Sequence, residues 1–204
     1  MKAICFVDCQ NDFMNADGAL PVPDTDKIRG KLAEIRRFAA DNNIQVFFTQ
    51  DAHDGTEPEM VAQGGPFPPH CIIGTPGQGN IDEVPLDMAA NLPPMTDQIV
   101  PMLFTKRCYD VFDPDLGNGN IEEWLKLTSI DKVYVVGVVG NICVQAAAIG
   151  MAQRGIDVTI WDDAVVFMDL GPDNNAGKSW EKMAAAGVGF GLFDAMKDKL
   201  LGWR

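Results

Sequence analysis

Four short stretches of this chain are apolar at nearly every position: AICFVD at 3–8, IQVFFT at 44–49, KVYVVGVV at 132–139 and DVTIW at 157–161. A strand with one wet face alternates apolar and polar residues, so strands apolar throughout must be covered on both faces. Helical patterns fill the intervals. After the turn PVPDTD, which offers Asp24 or Thr25 as a cap, Ile28, Leu32, Ile35 and Phe38 recur at helical spacing. Residues 120–128 and 175–187 also read as helices, as do 143–154, which stop at Gly155. Strands alternating with amphipathic helices predict an α/β fold in three layers (α/β/α) around a mostly parallel sheet. QIVPMLFTK at 98–106 is poorer strand material, because Pro101 suits an edge or a bulge. A length of 204 residues without repeats or a linker predicts one domain, 1–204.

The formal charge of −13 sets most of this surface against phosphate backbones and anionic membranes, so neither nucleic acid nor membrane is an expected partner. The apolar run near the N-terminus is broken at Asp8, and no run approaches the roughly 20 residues of a membrane span. A cytoplasmic location is the resulting expectation. Cys5, Cys9, Cys71, Cys108 and Cys143 are odd in number and form no CxxC pair, which predicts reduced thiols.

In parallel sheets of this kind ligands bind outside the carboxyl ends of the strands. Asp8, Asp51, Lys106 and Cys143 each fall at such an end or one turn beyond. Cys143 opens a helix directly after a strand, where the helix dipole and unpaired N–H groups favour a thiolate and can receive an oxyanion. The other four thiols have no comparable placement. Asp8 is the candidate base, raised by burial so that it can take a thiol proton, with Lys106 as its partner. A purely structural Asp8–Lys106 pair is the competing reading, and Asp12 is expected to stabilise a turn.

Both histidines, His53 and His70, fall in the Pro- and Gly-rich stretch 52–97, which shows no secondary-structure period. Loops that long are usually functional. Metal ligation, acid–base catalysis and plain surface chemistry all remain open from the residues alone.

Five segments taken in order, FVDCQNDF, TQDAH, FPPHCIIGTPG, FTKRCYD and GVVGNICV, make the chain resemble the isochorismatase-like cysteine hydrolases, and among them most closely the nicotinamidases. The resemblance implies the isochorismatase-like hydrolase fold and a triad of Asp8, Lys106 and Cys143. It further implies a cis peptide between Val138 and Val139 and an oxyanion hole from the amides of Val139 and Cys143. One divalent cation, zinc ahead of iron or manganese, would sit on Asp51, His53 and His70, with Glu59 as fourth ligand ahead of Glu57 and Asp54. Phe13, Phe67 and Tyr109 correspond to positions that line the substrate slot. The implied reaction converts nicotinamide or a related pyridine carboxamide to its acid through a thioester, as in NAD salvage. Another small amide, ureide or carbamoyl compound is the alternative substrate, and a non-catalytic binding or redox module on the same fold is the reading from a different class. Relatives often self-associate through helices flanking the site, so a homo-oligomer is compatible with the resemblance. The chain departs from the nicotinamidase pattern at Gly140-Asn141, where Thr-Asp is usual, at Ala52 in place of Trp, and in a longer 59–70 segment.

Overall fold

The computed structural model of the chain describes residues 1–86 and 102–201. Among these, strands β1 (Lys2–Val7), β2 (Gln45–Asp51), β3 (Met102–Lys106), β4 (Lys132–Gly137), β5 (Asp157–Val165) and β6 (Gly189–Gly191) form one sheet in the order β3-β2-β1-β4-β5-β6. Every pairing is parallel. The helices are α1 (Asn11–Met14), α2 (Asp26–Asp41), α3 (Asn120–Leu127), α4 (Cys143–Gln153), α5 (Ala176–Ala185) and α6 (Phe193–Leu201).

The uniformly apolar strands are explained by what covers them. Ile4 and Phe6 of β1 point into one core, shared with Ile28, Leu32 and Ile35 of α2 and Phe193 of α6. Ala3, Cys5 and Val7 point into the other, against Ile121 of α3, Val144 and Ala148 of α4 and Met183 of α5. Each fully buried Ile, Leu or Phe contributes about 1.5–3 kcal/mol relative to exposure, so both faces demand apolar residues. These are the three expected layers.

Chain order then decides where a ligand can bind. The chain runs outward from β1 through β2 to β3, returns to β4 beside β1, and continues outward through β5 to β6. The reversal lies between β1 and β4, whose register ends with Val7 beside Gly137. Asp8 and the turn leading to Cys143 both emerge there, at the switch point where parallel sheets form crevices.

Several local expectations need correction. Neither Asp24 nor Thr25 caps α2 through its side chain. Thr25 has helical backbone angles, which turn its hydroxyl away from the helix, and Oγ1 donates to the carbonyls of Met14 and Val22 at 3.1 and 3.2 Å. The helix start is instead tightened by N–H groups of Lys27 and Ile28 bonding to the carbonyls of Asp24 and Thr25. β5 runs to Val165, further than its apolar core suggests, while β6 and α6 escaped the pattern altogether. A three-residue strand reading Gly-Phe-Gly carries no strand signature. β3 is an edge strand, as expected, although Pro101 itself lies outside the described residues. All five cysteines are free. Among the described residues no helix is long and apolar enough to cross a membrane.

Candidate active site

The first shell of reactive groups is built by strand ends. Asp8 follows β1 in the left-handed region, at φ 49°, a backbone state that a non-glycine residue holds only when its surroundings over-determine it. They do so here. Its N–H donates to the Thr49 carbonyl at 3.1 Å, and Thr49 Oγ1 donates to Oδ1 at 2.7 Å. Lys106, at the end of β3, is equally buried and donates from Nζ to Asp8 Oδ2 at 2.7 Å. The same ammonium donates to Asp51 and lies 3.6 Å from Cys143 Sγ. Carboxylate oxygens of Asp8 and Asp51 and the Cys143 sulfur all fall within 4.8 Å of one another.

Cys143 is the first residue of α4, delivered by a turn that only glycine permits at its start. Gly137 has φ 119°, and a Cβ there would lie 2.0 Å from the Val7 carbonyl oxygen. The Val138–Val139 peptide is cis. Among the described residues the N–H groups of Val139 and Cys143 donate to no acceptor, so both are free to receive an oxyanion.

Electrostatics revise one expectation. The start of a helix predicts a thiolate, yet burial pushes the Cys143 thiol well above its ordinary range, and the Asp8 and Asp51 charges add to this against the pull of Lys106. Burial likewise raises the Asp8 carboxyl, which Lys106 only partly offsets. Burial thus raises both members of the Cys143–Asp8 pair, and the Lys106 ammonium pulls both back down.

Asp51 joins this cluster to a second one. One donor atom each from Asp51, His53 and His70 lie within 4.8 Å of one another. Glu59 Oε1 is 3.1 Å from His53 Nε2 and 3.7 Å from His70 Nε2, and Asp51 Oδ2 is 3.7 Å from His53 Nε2. His70 Nδ1 lies 2.8 Å from the Pro68 carbonyl, which leaves its Nε2 toward the cluster. His53 is fully buried, and neither ring nitrogen has a well-formed hydrogen bond. Burial would lower its pKa, but the carboxylates of Asp51 and Glu59 raise it to about 9. Two imidazoles and two carboxylates that draw positive charge into a buried spot fit a divalent cation of the zinc, iron or manganese type.

Glu57 and Asp54, the other candidate ligands, are engaged elsewhere. Glu57 accepts the N–H groups of Asp54 and Gly55 at 3.0 Å and Arg107 Nε at 2.7 Å, while Oε2 stands 3.7 Å from His53 Nδ1. It folds the 53–57 turn and backs the far side of the imidazole. Asp54 accepts from Thr56 and pairs with Arg107 at 2.8 Å.

Two positioning residues escaped the sequence reading of the site. Gln10, fully buried, accepts the Asp51 N–H and donates to the Asp51 carbonyl, both at 2.8 Å. Asp12 was expected to steady a turn; it accepts the Ala19 N–H at 3.0 Å and also reaches across to accept that of Cys71 at 2.7 Å, fixing the residue next to His70. A polar glutamine beside a buried strand was the available signal for the first.

Cys143, Asp51, Glu59 and His70 line a cavity of about 70 Å³, with His53 buried against Glu59. A water needs roughly 10–15 Å³ on this scale, so the space suits one small ring. Phe13, Phe67 and Tyr109 line it, with ring centroids of Phe13 and Phe67 at 5.4 and 6.1 Å from that of His70. Met168 and Leu170, from the segment after β5, line it too and were not anticipated. Of the five thiols, only Cys143 lines this cavity among the described residues.

Fold and site together define a hydrolase class. The family model for the isochorismatase domain matches residues 2–189, and the chain belongs to that family. Its relatives include the nicotinamidase of Escherichia coli, 27% identical over 92% of each chain, and the nicotinamidase/pyrazinamidase of Mycobacterium tuberculosis, 28% identical over 80% of this chain and 85% of that one. Among solved structures, the pyrazinamidase of Pyrococcus horikoshii in complex with zinc superposes with a TM-score of 0.75 at 28% identity, covering 94% of this chain and 99% of that one. Family and relatives indicate an amidohydrolase.

Proposed function

We propose that this chain hydrolyses nicotinamide, or a close pyridine carboxamide, to the acid and ammonia. The observation that carries this reading is the meeting of a thiol, a Lys106-bridged pair of aspartates and a two-histidine, two-carboxylate cluster around a cavity of single-ring size.

Asp8 takes the Cys143 proton as sulfur attacks the amide carbonyl, and the free amides of Val139 and Cys143 stabilise the oxygen that becomes negative. Asp8 then passes the proton to the departing nitrogen, so that ammonia leaves and a thioester remains. Water enters, loses a proton to Asp8 and attacks the thioester, releasing the acid and restoring the thiol. Lys106 holds both carboxylates in place throughout and keeps this dense negative cluster from separating. Phe13, Phe67 and Tyr109 hold the ring flat. Asp51, His53, His70 and Glu59 would hold a divalent cation, which when bound supplies Lewis acidity toward a heteroaromatic nitrogen and keeps the four donors in register.

Purified protein should release ammonia from nicotinamide, and Cys143→Ala should abolish that release without changing the fold. Wild-type protein that contains a divalent metal yet acts on neither nicotinamide nor pyrazinamide would overturn the substrate assignment.

A further inference from the structure

The segment carrying Met168 and Leu170 belongs to no helix or strand, and it is fastened to the nucleophile turn by a specific set of bonds. Gly140 N–H donates to the Val166 carbonyl at 2.7 Å. Asn141 Oδ1 accepts the Met168 N–H at 2.9 Å, while Asn141 Nδ2 donates to Asn174 Oδ1 at 2.7 Å. Leu170 N–H donates to the Asn174 carbonyl at 2.9 Å, closing the segment on itself. Asn141 is 3% exposed and stands two residues before the nucleophile. Its amide thus grips both ends of one stretch of chain, accepting from one and donating to the other. A buried amide with both ends used fixes a segment firmly, because release strands polar groups away from water at about 1–3 kcal/mol each.

We infer that Asn141 is a positioning residue that holds residues 166–174 against the nucleophile turn, and that Met168, so held, sets the size of ring the cavity admits. This deepens the amide-hydrolysing reading of the same site and rests on it. Sheet order places this wall on the β5 side of Cys143, while the histidines arrive from the β2 side. His70 and Met168 both line the cavity, so a substituted ring that packs on His70 would extend toward Met168. The Gly140-Asn141 pair, the departure from the usual nicotinamidase pattern, is the pair that makes this grip.

The test exploits what amides can do and carboxylates cannot. In Asn141→Asp the Met168 N–H keeps its acceptor, and the Asn174 amide can turn over to donate. In Asn174→Asp the donor on Asn141 remains satisfied. Each single variant should change kcat/KM for nicotinamide by less than about threefold. The double variant sets two carboxylates face to face and frees the segment. It should raise KM about tenfold or more while kcat stays within about threefold, a marked departure from additivity. Met168→Ala should favour a ring-substituted pyridine carboxamide over nicotinamide by about tenfold in kcat/KM. A substrate-independent arm compares alkylation of Cys143 by iodoacetamide and by a bulkier aryl iodoacetamide, followed by mass spectrometry. Both Met168→Ala and the double variant should raise the bulky-to-small rate ratio about tenfold. A merely structural role would lower the melting temperature and leave that ratio fixed; an unchanged ratio in both proteins overturns the inference. If wild-type protein hydrolyses no pyridine carboxamide but the alkylation ratio shifts, the substrate reading fails and the gating role stands.

Discussion

The cavity has two walls of opposite character. The wall on the β2 side carries charge: Asp51 at the end of β2 and Glu59 and His70 of the loop that follows line it, with His53 buried against Glu59. The wall on the β5 side, residues 166–174, presents Met168 and Leu170 and no ionisable group to the cavity. The first is expensive to build, since buried charges demand partners, and the chain supplies them: Lys106 on the Asp51 carboxylate and Glu57 behind His53, with Gln10 and Asp12 fixing the backbone at Asp51 and Cys71. The second needs only a clamp, provided by the Asn141 side chain and the Gly140 N–H. The difference separates two tasks. Chemistry requires polar groups at fixed positions and concentrates where partners can satisfy them, whereas size selection requires only a surface held still. Substitutions on the charged wall should therefore act on rate and metal content, and those on the apolar wall on selectivity.

The largest effect expected of any change lies between the walls. Cys143→Ser should lower kcat by about four orders of magnitude or more, and intact-mass analysis during turnover should find a thioester-linked acyl-enzyme in the wild type and none in the variant. Next is His70→Ala on the charged wall. It removes one of two imidazoles, so bound divalent metal measured by elemental analysis should fall below stoichiometric, with a loss of roughly 100-fold or more in kcat/KM. Retention of full metal would show that His70 is not a ligand. Glu57→Gln probes the support of that wall without touching the cavity. A carboxylate behind a ligating imidazole typically contributes 10–100-fold in metal affinity, so competition with a chelator should show a loss of about that size, and ring selectivity should not move. A shift in selectivity instead would dissolve the division of labour between the walls.

The two walls were also unequally legible. His53, His70, Asp51, Lys106 and Cys143 are chemically distinctive, and strand ends in a parallel sheet project toward one rim, so few arrangements were available to them. Phe13, Phe67 and Tyr109 could be named only through the family resemblance, because aromatic residues are usually just core. Nothing in VVFMDLG marks Met168 or Leu170 as cavity residues, since an apolar side chain carries no signature of what it faces. Asn141 was visible as a departure but not as a clamp, because its partners lie 27 and 33 residues further along the chain. Gln10 was hidden for the same reason: its partner, Asp51, stands 41 residues away. The upward push on the Cys143 thiol was not legible because helix position is local information, while burial among Asp8 and Asp51 belongs to the folded whole.

The smallest predicted effect probes the joint between the nucleophile turn and the apolar wall. A Cβ on Gly140 would lie 2.5 Å from Cδ1 of Phe167, well inside contact distance, so Gly140→Ala must displace that ring. Overpacking of this kind costs about 1–3 kcal/mol, and in a chain of this size each kcal/mol lowers the melting temperature by roughly 2–4 °C. The ring can yield outward toward Trp180, its neighbour at a centroid distance of 6.0 Å, which is 42% exposed. That freedom places the cost near the lower end of the range. Phe167 directly precedes Met168, so the same push should move the selectivity ratio in the direction of Met168→Ala but by a smaller factor. Metal content should be untouched, because among the described residues Phe167 pairs with the Trp180 ring and with neither histidine. A protein that lost metal on this substitution would show that the two walls move as one body, and that rate and selectivity cannot be tuned separately.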